Sequence, residues 1–160
     1  MIAGTLLITA YLMTIDVSAA QMEEVVITEE VRFWSERYGR EYGISPELIQ
    51  AVVWTESRCI PSAQSPDKSC KGLMQVKPSC HQERMERLGV RNIFGVWENL
   101  KVGTDYLAEL AENEDDILIV LMLYNGDSSS IERYKKTGKA SYYARSILEI
   151  AEELEQEHGK

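Results

Sequence analysis

The stretch ILIVLMLY, residues 117–124, decides the fold, yet its own pattern is silent. A continuously apolar run fits a buried helix and a buried strand equally well. Its surroundings choose between them. The acidic ENEDD of residues 112–116 lies just upstream, and negative charge there suits the positive end of a helix dipole. No other segment reads as a partner strand. Residues 117–124 are therefore expected to form the central buried helix of an all-α protein, with Gly126 to Ser130 as the turn that follows.

Further helices follow outward from that core. Residues 22–42 read as amphipathic, with Ile27, Val31, Trp34, Tyr38 and Tyr42 on one stripe and Gly43 as the stop. Ser45-Pro46-Glu47 is a helix start: a capping hydroxyl, a proline in the first turn, then an acid near the positive dipole end. That helix is expected to run to about Ser57. The Ser- and Pro-rich CIPSAQSPDKSCKG of residues 59–72 must be loop, and LMQV after it is too short to assign. Pro78 opens a predicted helix through about Leu88. Residues 97–112 carry Leu100, Tyr106, Leu107 and Leu110 at helical spacing. A last helix over 139–157 turns Tyr143, Ile147, Ile150, Ala151 and Leu154 inward.

Composition bounds the function. With 160 residues, 44% hydrophobic and 27% charged, the chain holds enough apolar material for one globular core. A net charge of −9, with 17 scattered basic residues, argues against a nucleic-acid binder, which needs a basic stripe. Residues 1–20 are mostly apolar and end in the small residues Val17-Ser18-Ala19-Ala20, so they read as a signal peptide or an N-terminal anchor. Export to the cell envelope or beyond is the expectation. Export also permits disulfides among Cys59, Cys70 and Cys80, and Cys59–Cys70 is the expected pair because both flank one loop. The spacing Cys-x10-Cys-x9-Cys-His lacks the short ligand pairs of a zinc site, so neither metal nor cofactor is expected.

One residue breaks the pattern of its helix. In AVVWTESRC, residues 51–59, Glu56 falls on the same apolar stripe as Ile49, Val52 and Val53. A lone carboxylate at a helix end ordinarily bends out to solvent, because such groups are rarely buried. A carboxyl held in an apolar site instead keeps its proton to higher pH and can serve as a general acid. Glycoside cleavage needs such an acid at the leaving oxygen.

The neighbouring text adds a resemblance. ESRC (56–59), a Ser/Pro loop, GLMQ (72–75) and LYNGD (123–127), in this order, resemble the soluble lytic transglycosylase family with its goose-type lysozyme-like fold. YGISPELIQAVVWTES (42–57), NLKVGTDYL (99–107) and YYARSIL (142–148) extend the likeness over about residues 42–150. It implies a predominantly helical member of the lysozyme-like superfamily with an active-site cleft, residues 42–160 forming the catalytic domain and 21–41 a helix packed on it.

By that resemblance Glu56 is the single catalytic acid/base and Ser57 helps to hold substrate. Gly72 and Leu73 shape the cleft floor, Met74 offers an apolar edge to a sugar, and Gln75 hydrogen-bonds the saccharide. Tyr124 and Asn125 contact an N-acetyl group, Tyr143 orients the catalytic carboxyl, and Tyr106 packs the cleft wall. The implied activity cleaves the β-1,4 bond between N-acetylmuramic acid and N-acetylglucosamine in peptidoglycan, leaving 1,6-anhydro ends. Asp67, Asp105 and Asp127 are the candidates for a second carboxylate, and the resemblance implies that none is needed. A hydrolytic muramidase using the same glutamate is the nearest alternative. A non-catalytic wall-binding component comes from a different class. Peptidoglycan strands are the expected partner, with a secretion, conjugation or phage apparatus as a further one, and the chain is expected to be a monomer. The sequence departs from the family pattern at Asp127, where glycine is usual and Gly126 comes one position early. Cys59 stands where a large apolar residue is common, and Cys80 where threonine often is.

Overall fold

The computed structural model describes residues 24–159, in seven α-helices. They are α1 (Glu29–Tyr42), α2 (Pro46–Ser57), α3 (Gln82–Leu88), α4 (Val96–Asn113), α5 (Ile117–Tyr124), α6 (Ser128–Thr137) and α7 (Tyr142–Glu157). Among the described residues no strand forms; the isolated bridges Gln64–Lys71 and Lys71–Val76 are the extended pairings present. The all-α expectation holds. No described helix is long and apolar enough to cross a membrane, and residues 1–20, read above as a leader or anchor, lie outside the described residues.

Helix α2 sits at the centre. It packs against α1 on one side and α7 on the other, while α4 joins α1 to α5 and α5 reaches both α6 and α7. Every residue from Glu47 to Trp54 is buried. Helix α5 buries Ile119, Val120, Leu121 and Met122, each worth ~1.5–3 kcal/mol when fully removed from water. Eight residues make an isolated helix marginal at best, so this burial against α4 and α7 is what sustains α5. Its last turn emerges at the surface, where Leu123 and Asn125 are exposed.

Local capping explains where expected and observed boundaries part. Helix α1 starts at Glu29 rather than residue 22, because the Thr28 hydroxyl accepts from the Val31 amide at 3.3 Å and acids fill the first turn. The β-branched Val25, Val26 and Ile27 ahead of it stay non-helical, with Val25 and Ile27 still packed on the core. The segment opened by Pro78 splits into a 3-10 turn, Pro78–Cys80, and the short α3. Helix α6 replaces what the sequence suggested was only a turn. Asp127 accepts from the Ser130 amide at 3.0 Å and the Ser129 hydroxyl at 2.8 Å, capping a helix that three serines disguised. Gly126, not Asp127, takes the left-handed conformation there, with φ of 70°. The left-handed turn thus falls on Gly126, and Asp127 serves as the helix cap.

Candidate active site

Helix α2 delivers Glu56 in its last turn and then stops abruptly. Arg58 and Cys59 both adopt left-handed backbone, at φ of 52° and 59°. The Arg58 guanidinium returns to the Trp54 carbonyl at 2.7 Å and lies 5.1 Å from the centre of the Trp54 ring. The same carbonyl accepts from the Arg58 amide at 2.9 Å, so backbone and side chain of one residue close the helix end together. Ser57 is buried, and its hydroxyl donates to the Val53 carbonyl at 3.0 Å. The serine expected to hold substrate thus bonds back into its own helix.

Glu56 is half-buried, and the phenol of Tyr143, in the first turn of α7, donates to its Oε1 at 2.5 Å. Burial raises the Glu56 pKa above the ordinary glutamate range, and the Tyr143 hydrogen bond opposes that rise without cancelling it. The Tyr143 phenol is itself pushed far up, by burial first and by the Glu56 charge second, so it stays a donor. Tyr124, at the end of α5, responds likewise: burial dominates and the Glu56 charge adds to it. One carboxyl and two tyrosines therefore share a desolvated corner where α2, α5 and α7 meet.

The GLMQ motif forms a tight hairpin beside this corner, closed by paired bonds between Lys71 and Val76 at 2.9 and 3.1 Å. Its anchor is Asn99 of α4. The Asn99 amide donates to the Lys71 and Ile93 carbonyls at 2.9 and 2.7 Å, and its Oδ1 accepts from the Met74 amide at 2.7 Å. Gly72, at φ of 78°, lies against that side chain; a Cβ there would collide with Asn99 Nδ2. Gly103 leaves room for Met74, whose Cβ would otherwise lie 2.8 Å from an added methyl. NLKVGT, residues 99–104, is thus the socket for GLMQ. Its signal was present in the spacing of Asn99 and Gly103, one helical turn apart.

Two expected roles change in consequence. Leu73 and Met74 are completely buried, so neither side chain can floor the cleft or offer an edge to a sugar. Met74 acts through its backbone instead, its carbonyl accepting from the Tyr124 hydroxyl at 2.9 Å. That bond ties the hairpin to α5. Gln75 turns into the same region at a φ of 46°, its amide donating to the Gly72 carbonyl at 2.8 Å.

A pocket of about 340 Å³ opens between this hairpin and helices α4 and α5, lined in part by Gln75, Tyr106, Tyr124 and Asn125. Tyr106 packs as wall, its ring 5.4 Å from Tyr124 and 4.6 Å from His81, with the Arg84 guanidinium 5.2 Å away. Cys70 and Cys80 line the pocket too, whereas Cys59 is buried and approaches the Thr28 backbone. All three cysteines are free thiols, so the expected Cys59–Cys70 bridge is not formed; the two side chains face different neighbours.

The three candidates for a second carboxylate are occupied elsewhere. Asp67 is exposed and held to about 2 by hydrogen bonds from Ser65 and Ser69 within its own turn. Asp105 is buried, which works to raise its pKa, but Arg87 and Arg84 outweigh that and hold it low. Asp127 caps α6. Among the described residues no group of three or more His, Cys, Asp or Glu side chains is placed to hold a metal ion.

A half-buried carboxyl at the end of the central helix, held by a tyrosine of the last helix and set beside a short hairpin in an all-α frame, defines a lysozyme-like protein. Within that class the chain belongs to the transglycosylase SLT domain family, whose pattern it matches over residues 33–146. It is 35% identical over 82 residues to membrane-bound lytic murein transglycosylase F of Desulfosudis oleivorans, covering 51% of this chain and 17% of that protein. It is 30% identical over 107 residues to the transglycosylase of Enterobacteria phage PRD1, covering 65% of this chain and 38% of that one. The chain therefore spans well under half the length of either relative. Its fold matches an inactive Glu-to-Gln mutant of lytic transglycosylase Slt from Pseudomonas aeruginosa, with a TM-score of 0.67 at 17% identity over 80% of this chain and 24% of that one.

Proposed function

We propose that the chain is a peptidoglycan lytic transglycosylase using Glu56 as its only acid/base. The observation that carries this is the state of that carboxyl: desolvated, held by the Tyr143 phenol, and without a committed carboxylate partner among the described residues. Two-carboxylate glycosidases set a second acid at a defined separation to activate water or attack carbon. Asp67, Asp105 and Asp127 each have other work here.

In the proposed reaction protonated Glu56 gives its proton to the glycosidic oxygen between N-acetylmuramic acid and N-acetylglucosamine. The substrate's own N-acetyl carbonyl supports the positive charge that develops at C1. Tyr124 already donates its hydrogen to the Met74 carbonyl, so its oxygen remains an acceptor for the N-acetyl amide, with Asn125 alongside. Glu56, now ionised, removes the C6 hydroxyl proton as that oxygen closes on C1. The product is a 1,6-anhydro sugar and no water is consumed. Gln75 is the hydrogen-bonding side chain for the neighbouring saccharide.

The lytic murein transglycosylase among the relatives supports this substrate, and the phage origin of the other supports service to a phage apparatus. Such work places the chain at the envelope or outside the cell, with residues 1–20 as the export signal or anchor. Mass spectrometry of digested sacculi tests the reading. Anhydro ends, one water lighter than reducing ends, are expected; reducing ends alone would assign a hydrolytic muramidase, and binding without cleavage a wall-binding component.

A further inference from the structure

The cysteines carry an inference that the catalytic reading does not use. Cys70 and Cys80 line the same pocket, and the backbone between them explains why. Lys71 and Val76 exchange both amide bonds, which sets Cys70 and Lys77 opposite each other as the next pair of the hairpin. From Lys77 the chain folds back at once: the Cys80 amide donates to the Lys77 carbonyl at 2.9 Å, closing the 3-10 turn. One hairpin step and one tight turn thus bring the two thiols to the same wall. Cys80 is exposed and Cys70 half-buried. Cys59 lies elsewhere: it is buried and approaches the Thr28 backbone.

The geometry points to Cys70 and Cys80 as a disulfide-forming pair that staples the GLMQ hairpin to the turn after it, with a low-molecular-weight disulfide as the oxidant. The exposed Cys80 thiolate attacks one sulfur of that reagent and expels one thiol, leaving a mixed disulfide. The Cys70 thiolate then attacks the Cys80 sulfur and expels the second thiol. Two protein thiols lose two electrons, the reagent's S–S bond gains them, and the two protons end on the departing thiols. The bridge closes residues 70–80, which contain Gln75 and two of the groups Asn99 holds, the Lys71 carbonyl and the Met74 amide, so it restrains the wall of the pocket. The pairing itself does not depend on the proposed reaction.

The test is disulfide mapping of the folded protein after incubation with oxidised glutathione. Remaining thiols are blocked with N-ethylmaleimide, and the unreduced chain is cut by trypsin, which separates Cys70 from Cys80 at Lys71. The expected result is a Cys70–Cys80 linked peptide in most molecules, with Cys59 labelled only after unfolding. Cys59→Ser retains the link; Cys80→Ser abolishes it and also abolishes the rise in Tm that oxidation gives the parent. A link that includes Cys59, or Cys70 and Cys80 each carrying glutathione without joining, overturns the assignment. Because the readout is a covalent map, an inactive protein with the link, or an active one without it, separates this inference from the proposed catalysis.

Discussion

Helix α2 carries a glutamate near each end, and the two are treated in opposite ways. Glu47, in the first turn, is only 2% exposed, yet it lies at the positive dipole end. It accepts from the Ser45 hydroxyl at 3.0 Å and meets His158 Nδ1 at 3.0 Å, linking α2 to the end of α7. Glu56, in the last turn, has the unfavourable dipole end, burial, and the Tyr143 phenol. Both carboxyls are withdrawn from water, but Glu47 sits among a hydroxyl, an imidazole and the positive end of the helix, whereas burial raises the Glu56 pKa. The difference teaches that burial alone does not mark a reactive acid; the balance between burial and donors does.

The largest expected effect comes from removing the acid itself. Glu56→Gln keeps shape and removes the proton donor, so peptidoglycan cleavage should fall by roughly 10²–10⁴-fold or more. The same substitution should raise stability at neutral pH. A folded-state pKa above the unfolded one means that protonation stabilises the fold below the ordinary glutamate range, and this is lost as pH rises through the raised value. Relative to the Gln variant, the parent's Tm should therefore drop across that window, and equal Tm curves would count against a desolvated Glu56.

Next in size is the socket. Asn99→Ala strands the Ile93 carbonyl and the Met74 amide, each costing about 1–3 kcal/mol if left unpaired, and leaves the Lys71 carbonyl its bond from Val76 alone. Chemical denaturation should show a loss of several kcal/mol; a loss under ~1 kcal/mol would mean that water replaces the side chain readily.

Tyr143→Phe should act more gently, lowering kcat about tenfold, the worth of one hydrogen bond to a charged group. It also removes the influence that lowers the Glu56 pKa, so the alkaline limb of the pH–rate profile should move to higher pH. An unmoved or lowered limb contradicts the assigned contact. Smallest for turnover is Glu47→Gln. It should cost ~1–3 kcal/mol of stability and leave kcat within about twofold, because Glu47 belongs to the far end of the helix. A loss of kcat comparable to that of Glu56→Gln would erase the distinction between the two ends.

Much of this was legible in the residues. The Ser45-Pro46 start, the apolar 117–124 helix and the anomalous Glu56 all follow from patterns that local physics enforces. Side-chain direction was less accessible. GLMQ reads as a cleft motif, but Met74 faces Gly103 and Thr104 in the core because α4 has a gap there, which only the packed structure reveals. Helix α6 hid behind Ser128, Ser129 and Ser130, since serines look like a turn until Asp127 caps them. The cysteine pairing failed for a related reason. Cys59 and Cys70 flank one loop in sequence, but the left-handed exit from α2 turns Cys59 into the core.

The most direct test of the central claim is a carbon-13 NMR titration of the glutamate carboxyls, with Glu47 and Glu56 assigned through their Gln variants. The Glu56 signal should titrate above the ordinary glutamate range and move higher still in Tyr143→Phe. A Glu56 carboxyl that ionises at or below that range would contradict its assignment as the proton donor.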